Sequence, residues 1–161
     1  MLEIREITAQ DNAKIAAIIT QVGKEFGAIG EGFGPSDDEV SMMSEHYKFA
    51  EKARYWVAVL NGEIVGGAGI AQFNDHGVCE LRKLFLLADA RGRGIGNELV
   101  TQCLAFAKEV GYKSCYLDTL ANMTSAIALY EKMDFNHLDE PYAETIHGGC
   151  DIWMLKDLTN N

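Results

Sequence analysis

Apolar and polar positions alternate over residues 2–7, as in a half-buried strand, and Thr8 then stands as the cap of a helix whose apolar face runs through Ile15, Ile18, Ile19 and Val22. A glycine-rich loop occupies 27–34. Ser36, with Glu39 three positions on, reads as a capping box for a second helix over roughly residues 37–49. Residues 55–60 and 63–73 flank Asn61-Gly62, a pair that supplies the positive φ angles of a type I′ turn, so a hairpin is predicted there, with a third strand at 78–87. A long helix follows with Ile95, Leu99, Cys103, Phe106, Ala107 and Val110 on one face, stopped by Gly111. A strand at 114–119, a helix at 125–133 that aligns Ala126, Leu129, Tyr130 and Met133, and strands at 135–138 and 150–155 complete the chain. The order β-α-α-β-β-β-α-β-α-β-β, without repeat or linker, predicts an α/β (α+β) fold with one mixed sheet flanked by helices, a single domain over residues 1–161.

Composition agrees with a packed domain and narrows its partners. The 161 residues are 48% hydrophobic and 24% charged with only 2 Pro, which excludes disorder and low-complexity arrays. A net charge of −10 repels phosphate backbones and anionic lipid, so neither a nucleic acid nor a membrane is an expected partner. Glu3, Arg5, Glu6, Asp11 and Lys14 interrupt any early apolar run, and a cytoplasmic location is expected. Cys79, Cys103, Cys115 and Cys150 lie far apart and share no ligand spacing with the four histidines, which predicts buried reduced thiols and no metal.

The stretch richest in chemistry is Cys79-Glu-Leu-Arg-Lys-Leu-Phe-Leu-Leu-Ala-Asp-Ala-Arg-Gly-Arg-Gly-Ile-Gly96. A strand delivers the chain to Gly92, Gly94 and Gly96, and a helix starts at once, so bare backbone amides converge where an anion can sit. Residues 80–93 hold four basic side chains against two acidic ones, a local +2 within an acidic protein, which favours a diphosphate. A Walker loop is excluded by the missing Gly-Lys-Ser/Thr, and a dinucleotide fingerprint by Asn97 where its last glycine belongs.

These residues resemble the GCN5-related N-acetyltransferases. Arg91-x-x-Gly94-x-Gly96 is similar to that family's acetyl-CoA pyrophosphate loop, and Ala126-Ile-Ala-Leu-Tyr-Glu-Lys-Met-Asp-Phe135 to its second signature, with Asp134 in place of the usual glycine and Met123 where an asparagine is common. The resemblance implies a mostly antiparallel acyl-CoA N-acyltransferase fold, acetyl-CoA as cosubstrate, and a cofactor site made of Leu84, Phe85, Leu86, Arg91, Gly92, Arg93, Gly94, Ile95, Gly96, Ala126 and Tyr130. It also implies catalytic roles. Glu80, on the strand four residues before Leu84, matches the proton acceptor used in part of the family, and Tyr130 its general acid. Other readings stand beside these: Glu80 paired with Arg82 or Lys83, or binding the substrate ammonium, and Tyr130 as an ordinary core aromatic.

The implied reaction is acetyl transfer from acetyl-CoA to a primary amine, of a small molecule rather than a protein, by a monomer or homodimer. The alternative is a catalytically silent acetyl-CoA-binding or regulatory module. Residues 31–51 carry six acids and one Lys, and residues 139–147 three more acids; they form either a solvated acidic face or a wall that attracts a cationic amine such as a polyamine or amino-sugar. The loop at 27–34 serves as a lid over the substrate or as a passive connection. None of His46, His76, His137 and His147 is placed at the site by the sequence.

Overall fold

In the computed structural model, which describes residues 1–28 and 30–159, seven strands form one sheet in the order β1-β2-β3-β4-β5-β7-β6. The strands are β1 (Leu2–Glu6), β2 (Arg54–Leu60), β3 (Glu63–Gln72), β4 (Val78–Leu86), β5 (Ser114–Thr119), β6 (Asn136–Leu138) and β7 (Ile152–Asp157). Every neighbouring pair is antiparallel except β4 and β5. Asn61 (φ 52°) and Gly62 (φ 86°) both take the left-handed region, so the type I′ turn predicted between β2 and β3 is present.

Helix α1 (Asn12–Glu25) covers one face of the sheet, burying Ile15, Ile18, Ile19 and Val22 against Tyr55, Val57, Ala71 and Phe85. Helices α3 (Ile95–Glu109) and α4 (Thr124–Lys132) cover the other, where Leu99, Cys103 and Phe106 meet Trp56, Ile70, Leu81 and Leu117. Successive strand residues therefore face different layers: Cys79 and Leu81 join the α3 core, whereas Glu80 and Arg82 look toward the α1 side. Cys79, Cys103 and Cys115 are buried, Cys150 is half-buried, and all four are free thiols.

The second helix is the main correction. Instead of one helix over 37–49 there are short 3-10 turns at 34–36, 38–42 and 49–51 and a four-residue α2 (Met43–His46). Asp37 is extended (φ −63°, ψ 145°) and Met42 breaks the turn (φ −141°, ψ 52°). The expected capping box does not form. The Ser36 hydroxyl accepts a hydrogen bond from the Gly30 amide at 2.7 Å, and the Glu39 side chain turns inward to Tyr47 and Lys83. At the start of α1, Thr8 donates through both its amide and its hydroxyl to Asp11 (2.8 and 3.1 Å), capping a 3-10 turn that runs into the helix. Of the loop at 27–34, Ile29 lies outside the described residues.

Two irregularities shape the middle of the sheet. Gly67 pairs with Phe85 and Gly69 with Arg82, so Ala68 opposes both Lys83 and Leu84; β4 bulges there with Lys83 at φ 54°. The ring of Tyr55 lies against Gly67 and Gly69, where a Cβ would come within 2.5 and 2.6 Å of it, and its hydroxyl donates to the Lys83 carbonyl at 2.7 Å. The second irregularity is a split: β4 and β5 pair only from Val78↔Ser114 to Glu80↔Tyr116. Beyond Glu80 that edge of β4 has no strand partner among the described residues.

Candidate active site

The split between β4 and β5 opens into two connected cavities. The first is a groove of about 370 Å3 walled by the end of β4 (Leu84, Phe85, Leu86), the turn Arg91, Gly92, Gly94, Ile95 and Gly96, and the start of α4 with Ala126 and Leu129. Gly92 (φ 77°) and Gly94 (φ 79°) hold left-handed conformations that a side chain would strain. Gly94 caps α3 without any side-chain hydrogen bond, and the first intrahelical bond is from the Glu98 amide to Gly94, so the amides of Ile95, Gly96 and Asn97 are left for another acceptor.

The basic residues of this turn are arranged differently from expectation. Arg91 lines the groove, but its guanidinium donates to Glu25 (2.8 Å) and to the Leu86 carbonyl (2.9 and 3.1 Å) and lies over the Phe26 ring, tying the end of α1 to the turn. Arg93 is not brought into the groove wall: it is exposed, with Nε on the Asp89 carbonyl at 3.1 Å. The Asn122 amide donates to the Phe26 carbonyl at 2.9 Å, and Met123 lines both cavities in its place.

The second cavity, a chamber of about 80 Å3, shares Leu84, Phe85, Met123 and Ala126 with the groove and continues to Glu80, Arg82, Asp118, Tyr130 and His147. Tyr130 is 6% exposed; its ring packs on Phe135, and its hydroxyl has no protein hydrogen-bond partner among the described residues. Burial pushes that hydroxyl well above the ordinary tyrosine value, so it keeps its proton. Asp134, in the place of the usual glycine, takes φ 70° and ends α4.

Glu80 is 4% exposed and accepts a hydrogen bond from Arg82 Nε at 2.7 Å, the pairing held open above. Burial raises its pKa and Asp118 adds to this, against the opposing charges of Arg82 and His147.

His147 and Asp118 line the chamber, and Asp37 is tied to it through His147, without any signal in the motifs. The His147 ring bridges the loop after β6 to the loop before α2: Nδ1 lies 2.8 Å from Asp118 Oδ1, and Nε2 2.8 Å from Asp37 Oδ2. Burial favours the neutral ring, but the hydrogen bonds to Asp118 and Asp37 outweigh it and raise the imidazole to about 10, so both nitrogens donate at neutral pH. Asp37 also accepts from Lys83 Nζ at 2.7 Å; burial opposes its ionised form, but His147 and Lys83 hold it below the usual carboxylate value. The Gly149 amide donates to the Gly32 carbonyl at 2.9 Å, and the Asp118 carboxylate accepts from the Thr145 hydroxyl, so the 27–34 loop and the 139–151 loop close over the chamber together. Ligand atoms of Glu80, Asp118 and His147 lie within 4.8 Å of one another, but an imidazolium with both N–H groups directed at carboxylates offers a metal no lone pair.

Of the nine acids at 31–51 and 139–147, Asp37 and Glu39 reach residues that line the chamber: both are paired with Lys83, and Glu39 also lies 3.7 Å from Arg82. The others include Asp38, Glu45, Asp139 and Glu144, all exposed, as a solvated face requires.

Comparison with known proteins bears on the fold and its chemistry. The model of the acetyltransferase (GNAT) family matches residues 24–135. An uncharacterized N-acetyltransferase of Escherichia coli, YjgM, is 38% identical over 158 residues, covering 96% of this chain and 94% of its own. The N-acetylaspartate synthetase of Xenopus tropicalis is 33% identical over 100 residues, a match that spans 62% of this chain and 37% of the synthetase. The structure of yncA from Salmonella typhimurium, with its cofactor acetyl-CoA, superposes with a TM-score of 0.79 at 16% identity, covering 100% of this chain and 96% of its own.

Proposed function

The chain belongs to the GNAT family of N-acetyltransferases, and from that membership we propose that it moves the acetyl group of acetyl-CoA onto the primary amine of a small molecule by direct attack on the thioester. The observation that carries this reading is the continuity of the two cavities. The uncapped α3 turn, the free edge of β4 and the Glu80 chamber lie along one path through the shared lining residues Leu84 and Phe85, which brings a place for the diphosphate and a place for the acceptor to the two ends of one strand segment. A precedent for a small acceptor is the N-acetylaspartate synthetase match.

In this reading the amides at 92–96 take the diphosphate, and Leu84 to Leu86 hydrogen-bond the acetyl and pantetheine groups as an added strand would. An alkylamine, with a pKa of about 10.4, must shed a proton before it attacks. Glu80 receives it, directly or through water, and its raised pKa suits that task, because an acceptor works best with a pKa near the operating pH. The amine lone pair forms the C–N bond, a backbone amide near Leu84 meets the oxyanion, and the C–S bond breaks. The thiolate then takes the proton of Tyr130, whose hydroxyl is buried, protonated and open to the chamber, and the phenolate is restored by the second proton that the attacking nitrogen sheds as the amide forms. A silent binding module would need neither group at this junction. Four unpaired thiols support a reducing, cytoplasmic setting, and no helix of the described residues is long and apolar enough to cross a membrane.

The test is release of CoA thiol from acetyl-CoA in the presence of a panel of amines. Release above hydrolysis with at least one small amine is expected. No release with any of them refutes the proposal.

A further inference from the structure

The chamber holds both signs of charge. Glu80 and Asp118 in its wall, with Asp37 and Glu39 paired to residues of that wall, supply four carboxylates, and Arg82, Lys83 and His147 three cations. Lys83 is committed to Asp37 and Glu39, and His147 to Asp37 and Asp118. Glu80 and Arg82 differ. They meet through one atom each, Oε1 and Nε, at 2.7 Å. Glu80 Oε2 has no hydrogen bond among the described residues, and His147 Nδ1 stands 3.8 Å from it. Arg82 Nη1 is likewise beyond hydrogen-bond reach of Glu39, at 3.7 Å, and Nη2 makes only a long contact of 3.4 Å to the Gln72 carbonyl. Side by side on one face of β4, the pair thus presents an open carboxylate oxygen beside open guanidinium donors.

We propose that this open edge selects an acceptor carrying a carboxylate next to its amine, so that the substrate class is the free amino acids. The inference rests on the acetyltransferase reading above and deepens it. The ammonium of an amino acid meets Glu80 Oε2 and its carboxylate meets the Nη atoms of Arg82, a guanidinium being suited to bind a carboxylate through two donors. A zwitterion adds no net charge to a chamber whose own charges nearly balance. A polyamine brings two or more positive charges against at most one unmatched carboxylate, and lies beside three cations. A simple monoamine satisfies Glu80 and leaves the open Arg82 donors without a ligand group to meet, a cost by which sites built for a polar group reject analogues that lack it. In the reaction the C–N bond forms at the α-amine, the C–S bond breaks, CoA leaves as the thiol, and the carboxylate is unchanged. The products are an N-acetyl amino acid and CoA.

The experiment pairs each free amino acid (glycine, alanine, serine, methionine, aspartate) with its own carboxamide, adds ethanolamine and spermidine, and measures kcat/KM by CoA thiol release. At least one amino acid is expected to exceed its carboxamide by about 30-fold or more, the size of one lost charge-assisted hydrogen bond. Arg82→Gln is expected to narrow that ratio to within a few-fold, whatever it does to the absolute rate. Carboxamides, ethanolamine or spermidine used as well as or better than the free acids overturns the amino-acid assignment and leaves the acetyltransferase reading intact. A ratio in the wild type that Arg82→Gln does not change removes Arg82 as its cause and overturns the assignment of this edge. Failure of every amine overturns both. The wild-type comparison of acid with amide stands even if the variant fails to fold.

Discussion

Tyr130 and Asp134 sit four residues apart around the end of α4, and each answers a different physical demand. Tyr130 is enclosed by the core on its ring side and open at its hydroxyl. Tyr130→Phe keeps the ring and its packing on Phe135 and removes only the proton donor. It is expected to lower kcat by about 100-fold, at the lower end of what a positioned acid contributes, with acetyl-CoA affinity unchanged in a calorimetric titration. Asp134 holds φ 70°. Alanine there must adopt a strained backbone and glycine need not, so thermal denaturation is expected to rank Asp134→Gly above Asp134→Ala by about 1 kcal/mol. A family position normally filled by glycine is therefore filled here by a residue type that tolerates the same conformation, and this much was readable from the chain.

At the scale of elements, the bulge in β4 is what turns a strand into one wall of a site. It reverses the side-chain alternation at Lys83, brings that lysine into contact with the loop before α2, and leads into the segment of β4 that has no partner in β5. Tyr55 supports it from β2, reaching across the glycines of β3 to the Lys83 carbonyl. Tyr55→Phe leaves that buried carbonyl without its donor and is expected to cost about 1–3 kcal/mol in urea denaturation. A fall in kcat with it is the expected sign that the bulge positions the thioester. The hairpin turn, α3 and its glycine start were legible because each is written within a few consecutive residues. The second helix was misread because its capping residues, Ser36 and Glu39, are drawn away by partners distant in the chain: the Gly30 amide for one, Tyr47, Lys83 and Arg82 for the other.

Over the whole molecule, two loops more than 100 residues apart are fastened by one ring. His147 draws Asp37 and Asp118 together and with them the cover of the chamber. Its folded-state pKa of about 10 lies above the unfolded value of about 6.5. The folded state therefore holds a proton that the unfolded state releases over that interval, and the stabilisation is complete below about pH 6.5 and lost as the pH rises toward 10. Asp37, with its lowered pKa, acts at the other end: its contribution is present above the ordinary carboxylate value and is lost as the pH falls through the depressed one. The melting temperature is expected to fall from pH 6.5 to 10 in the wild type and to fall less in His147→Gln, which lacks the titrating ring. Equal slopes in the two proteins would remove the clasp as the cause.

The amino-acid sequence by itself determined what depends on neighbours along the chain: the strand and helix order, the type I′ turn, the glycine cradle before α3, the signature around Tyr130, and through them the family. Tertiary structure alone decided which charges meet. Arg91 turns to Glu25, Glu80 shares Arg82, and His147, in an irregular loop with no motif around it, comes to lie between Asp37 and Asp118. The physical reason is range. Backbone conformation and capping are set within a turn or two of chain, whereas a buried charge takes the partner that the packing of distant segments brings within about 3 Å, and no local pattern records that choice.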